Sequence, residues 1–224
     1  MAWLFKDPSL DRADRFQLTL AMLMQVILLI GLVVAIIEGI WLTVFLAAFA
    51  FLITLLPAFI RRNYRVYLPL EFDFFLVLFV FASLFLGEMQ SYYERFWWWD
   101  VVLHTSAGIL MGLIGFSLVF VLNRHARVEV MLSPFFMALF AFCFAEAIGV
   151  IWEIFEFAMD SFFGMNMQKS GLVDTMWDLI VNTVGAALVS TVGYFYVKGG
   201  ESLLFDRVVR RFLERNRLVG MRKP

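Results

Sequence analysis

Six long apolar stretches, separated by short charged segments, constrain this chain more than any other feature. A helix needs roughly 20 apolar residues to span a hydrocarbon core about 30 Å thick. Stretches of that length lie near 16–37, 39–60, 68–89, 100–122, 132–160 and 174–198. In all, 62% of the 224 residues are hydrophobic, against about 45–50% in a typical soluble domain. The sequence therefore predicts an all-α, polytopic membrane helix bundle of about six transmembrane helices.

The lysines and arginines indicate how the bundle is oriented. An even number of spans places sixteen of the eighteen on one side and leaves Arg95 and Lys169 for the other. Because basic residues in short loops favour the cytoplasmic side, both termini are predicted to be cytoplasmic. The aromatic run at 92–99 then falls at the outer interface, where tryptophan and tyrosine are enriched.

The chain is expected to form a single membrane domain over 1–198, followed by a cationic amphipathic tail over 199–224. One helical stripe of the tail is apolar and arginines fill the other face, which favours binding to anionic lipid of the inner leaflet. Packing against neighbouring protein is the alternative. The first apolar run is too long for a signal-peptide core, so we expect it to be retained.

The sequence lacks the motifs that are typical of several functional classes. Cys143 is the single cysteine and has no partner for a disulfide or a cysteine-based metal site. Phosphate-cradling glycine loops, nucleic-acid motifs and nucleophilic triads are also missing from the sequence. We therefore expect no nucleotide or redox cofactor and no nucleic-acid partner. Membrane lipids are the expected partners.

Ionisable residues inside membrane helices are costly and usually face the bundle interior, so each is a candidate for function. In the fourth span, Asp100 and His104 lie one turn apart on one face. Gly108, Gly112 and Gly115 continue roughly the same stripe. Glycines at such positions let another helix backbone approach closely.

The fifth and sixth spans each carry polar residues on one face as well. These are Glu146, Glu153, Glu156 and Asp160 in the fifth span and Asp174, Asp178, Asn182 and Gly185 in the sixth. The topology places Asp100, Asp160 and Asp174 at the outer ends of their spans, with most of the others one or two turns deeper, or about 5–10 Å. The three faces therefore predict a shared, outward-open pocket.

Clustered carboxylates need a compensating positive charge, because burial and mutual repulsion both disfavour the ionised forms. A divalent metal ion (Mg, Mn, Ca or Zn) is the preferred compensator, since carboxylates suit the first three and an imidazole admits Zn. Shared protons or a protonated histidine are alternatives. The predicted metal ligands are Asp100, His104, Glu153, Glu156 and Asp178. Asn182 is expected to orient a substrate, and Asp160 and Asp174 to lie at the pocket mouth.

Simpler interpretations exist for single residues. Asp100, Asp160 and Asp174 could cap helix ends or be solvated, and Asp174 has the sequence context of an N-cap. Glu146 could be a lone protonated carboxyl group bonded to a neighbouring helix. His104 could be an ordinary buried histidine with its hydrogen bonds satisfied.

Acids at the cytoplasmic start of the third span have a simpler explanation. Glu71 and Asp73 follow Arg61, Arg62 and Arg65 closely in the chain, and we expect either interface salt bridges or favourable charges at a helix N-terminus there. We assign them no function.

Three motifs carry a resemblance to known proteins: Asp100-Val-Val-Leu-His104, Trp152-Glu-Ile-Phe-Glu156-Phe, and the segment from Asp174 through Asp178 and Asn182 to Gly185. Over residues 70–195 the chain resembles the uncharacterised bacterial inner-membrane family typified by YjdF. The last motif is also similar to the closing motif of the VanZ-like membrane proteins, although the arginine of that pattern has no counterpart here and Gln168 is the sole candidate for its glutamine. The resemblance implies a multi-pass protein of the bacterial inner membrane and supplies no catalytic mechanism.

Three functional hypotheses follow. In the first, an outward-facing metal or proton site acts on, or senses, a lipid-linked or envelope component, and Asp100, His104, Glu156 and Asp178 are the candidate catalytic residues. In the second, the same acids begin the path of a cation or proton transporter. The third is a structural or accessory subunit of a membrane assembly. Whether the protein is an enzyme stays open.

Overall fold

The computed structural model describes residues 10–64, 70–124 and 131–199, and throughout these ranges the secondary structure is helical, with no strand. Within these described ranges, six segments are long and apolar enough to cross a membrane. The predicted polytopic helix bundle is therefore confirmed. The helices are α1 (Arg12–Glu38), α2 (Trp41–Tyr64), α3 (Leu70–Val80, continued by a π-helix over Phe81–Met89), α4 (Tyr92–Arg95), α5 (Trp99–Arg124), α6 (Pro134–Phe163) and α7 (Leu172–Val197).

Every predicted span corresponds to an observed helix, with ends that differ by four residues or fewer. Local chemistry sets the ends: Ser133 caps the start of α6 through its hydroxyl, and Pro134 follows at the first helical position. Gly164 ends α6 in the left-handed conformation, at φ 65°. The amphipathic tail predicted for 199–224 lies outside the described residues except for Gly199.

The chain divides into two compact units, residues 1–99 and 100–224. The single membrane domain expected from the sequence stays a prediction. In the first unit, α1 and α2 form a tight hairpin around Gly39, which adopts φ 72°. The side-chain amide of Gln25 donates to Thr54 Oγ1 at 3.1 Å and joins the two helices.

A buried ion pair joins the end of α2 to the start of α3. Arg61 contacts Asp73, and their side chains are 7% and 1% exposed. The salt bridge expected from the sequence is therefore present, although it is buried rather than solvated. Removing one partner of such a pair leaves an uncompensated buried charge, so the pair fixes how these two helices meet.

The π-helical continuation of α3 was not anticipated. A π-helix widens the backbone spiral and shifts its carbonyl groups out of the α-helical pattern. At its start, the Trp99 indole Nε1 donates to the Ala82 carbonyl at 3.2 Å. Apolar sequence alone carries no signal for this change of pitch.

In the second unit, α5 and α7 approach so closely that glycine is required at their crossing. A Cβ atom at Gly108 would lie 2.2 Å from the Asn182 carbonyl oxygen, and one at Gly185 would lie 2.2 Å from the Thr105 carbonyl oxygen. The close approach predicted from the glycine stripe is confirmed. Because this crossing lies one turn from His104 and two from Asp178, it brings the polar faces of both helices together.

Candidate functional site

The candidate site lies at one end of the second unit, where α5 begins, α6 ends and α7 begins. The charge distribution predicts that this is the outer end. Four of its polar side chains are almost fully buried, with exposures of 4% for Glu153, 8% for Glu156, 4% for Asp178 and 2% for Asn182. Burial of so many acids inside a membrane bundle requires specific compensating contacts.

His104 lies at the centre of the cluster and contacts a carboxylate from each of the three helices. Its Nε2 atom lies 3.4 Å from Asp100 Oδ1 and 3.9 Å from Asp178 Oδ1. Its Nδ1 atom, on the opposite side of the ring, lies 3.8 Å from Glu153 Oε1. The imidazole therefore has two acids on one nitrogen and a third acid on the other.

Asp100, His104 and Asp178 lie close enough together that they could hold a metal ion. One ligand atom from each lies within 4.8 Å of the other two. Two oxygens on the same calcium ion can be separated by at most twice a bond of about 2.3–2.6 Å, so the spacing of these ligand atoms does not exceed what one large cation can bridge. A smaller ion would need these side chains to draw together.

Glu153 and Glu156 occupy neighbouring but different environments on α6. Both carboxylate oxygens of Glu153 are buried and make no hydrogen bond of ordinary length, while the Thr175 hydroxyl and His104 lie near. Glu156 accepts a hydrogen bond of 2.9 Å from the Trp152 indole Nε1, one turn earlier. An unsatisfied buried carboxylate is costly, so Glu153 has capacity for a further positive partner.

A deeper polar contact joins α6 to α7. The Asn182 Nδ2 atom donates to Glu146 Oε1 at 3.1 Å, and Thr183 Oγ1 lies 3.0 Å from Glu146 Oε2. Gly149 makes room for this arrangement, because a Cβ there would lie 2.7 Å from Asn182 Nδ2. The substrate-orienting role expected for Asn182 stays a prediction, and its amide nitrogen is engaged by Glu146.

The loop between α6 and α7 is held by two acids that the sequence places at a pocket mouth. Asp160 accepts from the backbone N–H groups of Met167 and Gln168, at 2.7 and 2.9 Å. Asp174 accepts from the backbone N–H of Lys169 at 3.0 Å. Both carboxylates therefore order the loop, and their place at a pocket mouth stays a prediction.

The N-cap alternative for Asp174 is wrong. Helix α7 begins at Leu172, its N-cap is Gly171, and Asp174 lies within the first turn. The acid satisfies a donor of the preceding loop instead of one of the helix's own free N–H groups.

The structure brings together Asp100, His104, Glu153 and Asp178 from the predicted set. Trp152, Thr183 and Gly149 were missed as contributors. Trp152 precedes Glu156 by one helical turn, and that spacing is the signal that could have identified it. Thr183 and Gly149 carry no such signal, because their partners lie on another helix.

A cavity of about 380 Å³ lies at the other end of α6 and α7, lined by aromatic residues with Ser190 and Thr191. It is separate from the cluster. The outward-open pocket expected around the acids stays a prediction.

Fold and site together define a multi-pass helical membrane protein with a histidine enclosed by carboxylates at one end of three helices. The chain belongs to the DUF2238 family of predicted membrane proteins, whose model matches residues 20–199. The expected membership of an uncharacterised membrane family is thereby confirmed.

A curated relative from Thermotoga maritima, described as an uncharacterized protein, is 28% identical over 120 residues. The match covers 51% of this chain and 57% of that protein. No solved structure matches the chain.

Proposed function

We propose that this protein binds a divalent cation through Asp100, His104 and Asp178 in the outer half of a bacterial inner membrane. The contact that carries the proposal is the placement of His104 Nε2 beside two carboxylates from different helices. Carboxylate oxygens with one imidazole form a ligand set suited to Mn or Zn, and the carboxylates alone suit Mg or Ca.

The net charge of the carboxylate cluster also supports the binding of a cation. Asp100, Glu153 and Asp178 contact one imidazole, and Glu156 lies one turn from Glu153 on α6. A single proton on His104 therefore leaves the ionised cluster net negative. Buried charge in a membrane is stabilised when it is paired. A divalent cation supplies the missing positive charge at the place where the three ligand atoms converge.

Glu153 then has a role distinct from that of the three ligands. Metal-bound histidines commonly donate their second ring N–H to a carboxylate, which fixes the orientation and tautomer of the ring. With Nε2 on the metal, the Nδ1–H of His104 faces Glu153 Oε1. Glu153 orients His104, and Glu156, held by Trp152, adds negative charge beside the site.

The bound ion acts on, or senses, a lipid-linked or envelope component. A metal held there would polarise a phosphoryl or carbonyl oxygen or lower the pKa of a bound water. The membrane setting supports a lipid-borne group as the ligand, because that group would reach the outer end of the bundle from within the bilayer.

Equilibrium dialysis of detergent-purified protein against Mn²⁺ tests the proposal. Wild type is expected to bind close to one ion, and Asp178→Ala to bind none while still inserting into the membrane. Glu146→Gln is the matched control, because it removes a deeper acid outside the ligand set. Equal Mn²⁺ binding by wild type and Asp178→Ala would overturn the proposal.

A further inference from the structure

The deeper acid Glu146 is not used by the cation site and has its own set of contacts. It lies on α6 between the two predicted membrane surfaces. Its carboxyl group meets the side chains of Asn182 and Thr183 on α7. Among the described residues, no lysine, arginine or histidine forms an ion pair with it.

The Thr183 hydroxyl has a single hydrogen, and where that hydrogen points bears on whether Glu146 is protonated. The Thr183 hydroxyl is within hydrogen-bond distance of two oxygens, the Leu179 carbonyl at 2.7 Å and Glu146 Oε2 at 3.0 Å. A hydroxyl carries one hydrogen and can donate only once. The shorter contact, a back-bond to the carbonyl four residues earlier, is a common use of threonine in helices.

With the threonine hydrogen directed to Leu179, the contact with Glu146 needs a hydrogen from the glutamate. A protonated carboxyl group supplies it, since its O–H donates to Thr183 Oγ1 through Oε2. Its other oxygen, Oε1, is then the carbonyl oxygen that accepts from Asn182 Nδ2. Each of the three contacts thus has one donor and one acceptor.

We propose that Glu146 is a proton-binding site in the membrane interior, where Thr183 accepts from its O–H group and Asn182 donates to its carbonyl oxygen. The ligand of this second site is a proton and not a metal ion. The site is independent of the outer cation: its contacts involve none of the proposed metal ligands. Asn182 lies one turn from Asp178 along α7, so the proton is held directly beneath the outer cluster.

Membrane energetics support the neutral form. An ionised carboxylate at this depth is costly unless a cation accompanies it. A neutral acid with two hydrogen bonds avoids that cost and joins two helices at the same time. Fully buried Asn182 gains a defined amide orientation from the same contact.

Infrared difference spectroscopy on the full chain in lipid nanodiscs tests the proposal, with the carbonyl stretch of a protonated carboxylic acid as the probe. Wild type minus Glu146→Gln is expected to show that band, with a shift in D₂O. Glutamine retains both a donor and an acceptor, so the variant should fold normally. A difference spectrum with loss of the ionised-carboxylate bands instead would overturn the proposal.

Thr183→Val and Thr183→Ser provide the matched pair. Valine removes the acceptor oxygen at nearly constant volume, and the carbonyl band should move to the position of a less hydrogen-bonded acid. Serine keeps the hydroxyl, so its band should stay at the wild-type position. An identical band in the valine variant would contradict the assigned contact.

Discussion

The imidazole Nε2 of His104 lies 3.9 Å from the Asp178 carboxylate, although the two residues belong to helices that are far apart in sequence. The close crossing of α5 and α7 one turn from His104 produces this proximity. At the crossing, Gly108 and Gly185 each face a backbone carbonyl of the opposite helix. The cluster therefore depends on small residues that take no part in its chemistry.

Gly185→Ala should separate α5 from α7 and weaken cation binding. The new methyl group meets the Thr105 carbonyl, which is backbone and cannot rotate away. Overpacking of this kind costs about 3 kcal/mol at the upper end of its usual range. Thermal unfolding in detergent and Mn²⁺ dialysis measure the two effects.

Gly112→Ala is the control for that substitution. Its Cβ would meet the Val189 side chain at 2.4 Å, and a side chain can repack more readily than a backbone. The expected loss is about 1 kcal/mol. If both variants lost the same stability and affinity, the close backbone contact between α5 and α7 would not be what determines cation binding.

Glu153→Gln distinguishes an orienting carboxylate from a metal ligand. The variant keeps an oxygen that faces His104 Nδ1 but loses the charge that strengthens this contact. We expect Mn²⁺ affinity to fall about 10–100-fold with the stoichiometry retained at saturating ion. Complete loss of binding would instead make Glu153 a direct ligand, as the sequence predicted.

Asp160→Asn tests the role of the loop acid. Asparagine keeps one acceptor oxygen for two backbone donors, and a lost hydrogen bond to a charged group costs about 1.5–3 kcal/mol. Faster hydrogen exchange over 164–171 is expected, with Mn²⁺ affinity unchanged. A large fall in affinity would place Asp160 in the binding site itself.

Because Arg61 and Asp73 form a buried ion pair in the first unit, the stability of the protein should depend strongly on both residues. Asp73→Leu leaves Arg61 buried without its counter-charge and should destabilise the protein by about 3–5 kcal/mol. Arg61→Met combined with Asp73→Leu should recover most of that loss. Thermal unfolding of both variants gives the answer, and equally unstable single and double variants would exclude pairing as the cause.

Sequence periodicity predicts the bundle and much of the site because both depend on local signals. Apolar length defines each span, and the one-turn spacing of Asp100 and His104 places both on one face. The glycine stripe predicts the close crossing, since the absence of a side chain matters wherever helices meet. These signals act along one helix and are visible without coordinates.

Contacts between helices were harder to predict. The sequence groups four acids and a histidine as equal ligands, whereas the structure separates Asp100 and Asp178 from Glu153 by the ring nitrogen that each faces. The bonds from Asp160 to the loop depend on backbone donors that have no sequence signature. The Glu146 contact with Thr183 depends on the relative rotation of α6 and α7, which periodicity leaves free.

Elemental analysis of the detergent-purified protein, wild type beside Asp178→Ala, tests the cation site most directly. We expect a near-stoichiometric divalent metal in wild type and its loss in the variant, with both proteins recovered from the membrane in equal amounts. Equal metal content in the two proteins, or none in either, would contradict it.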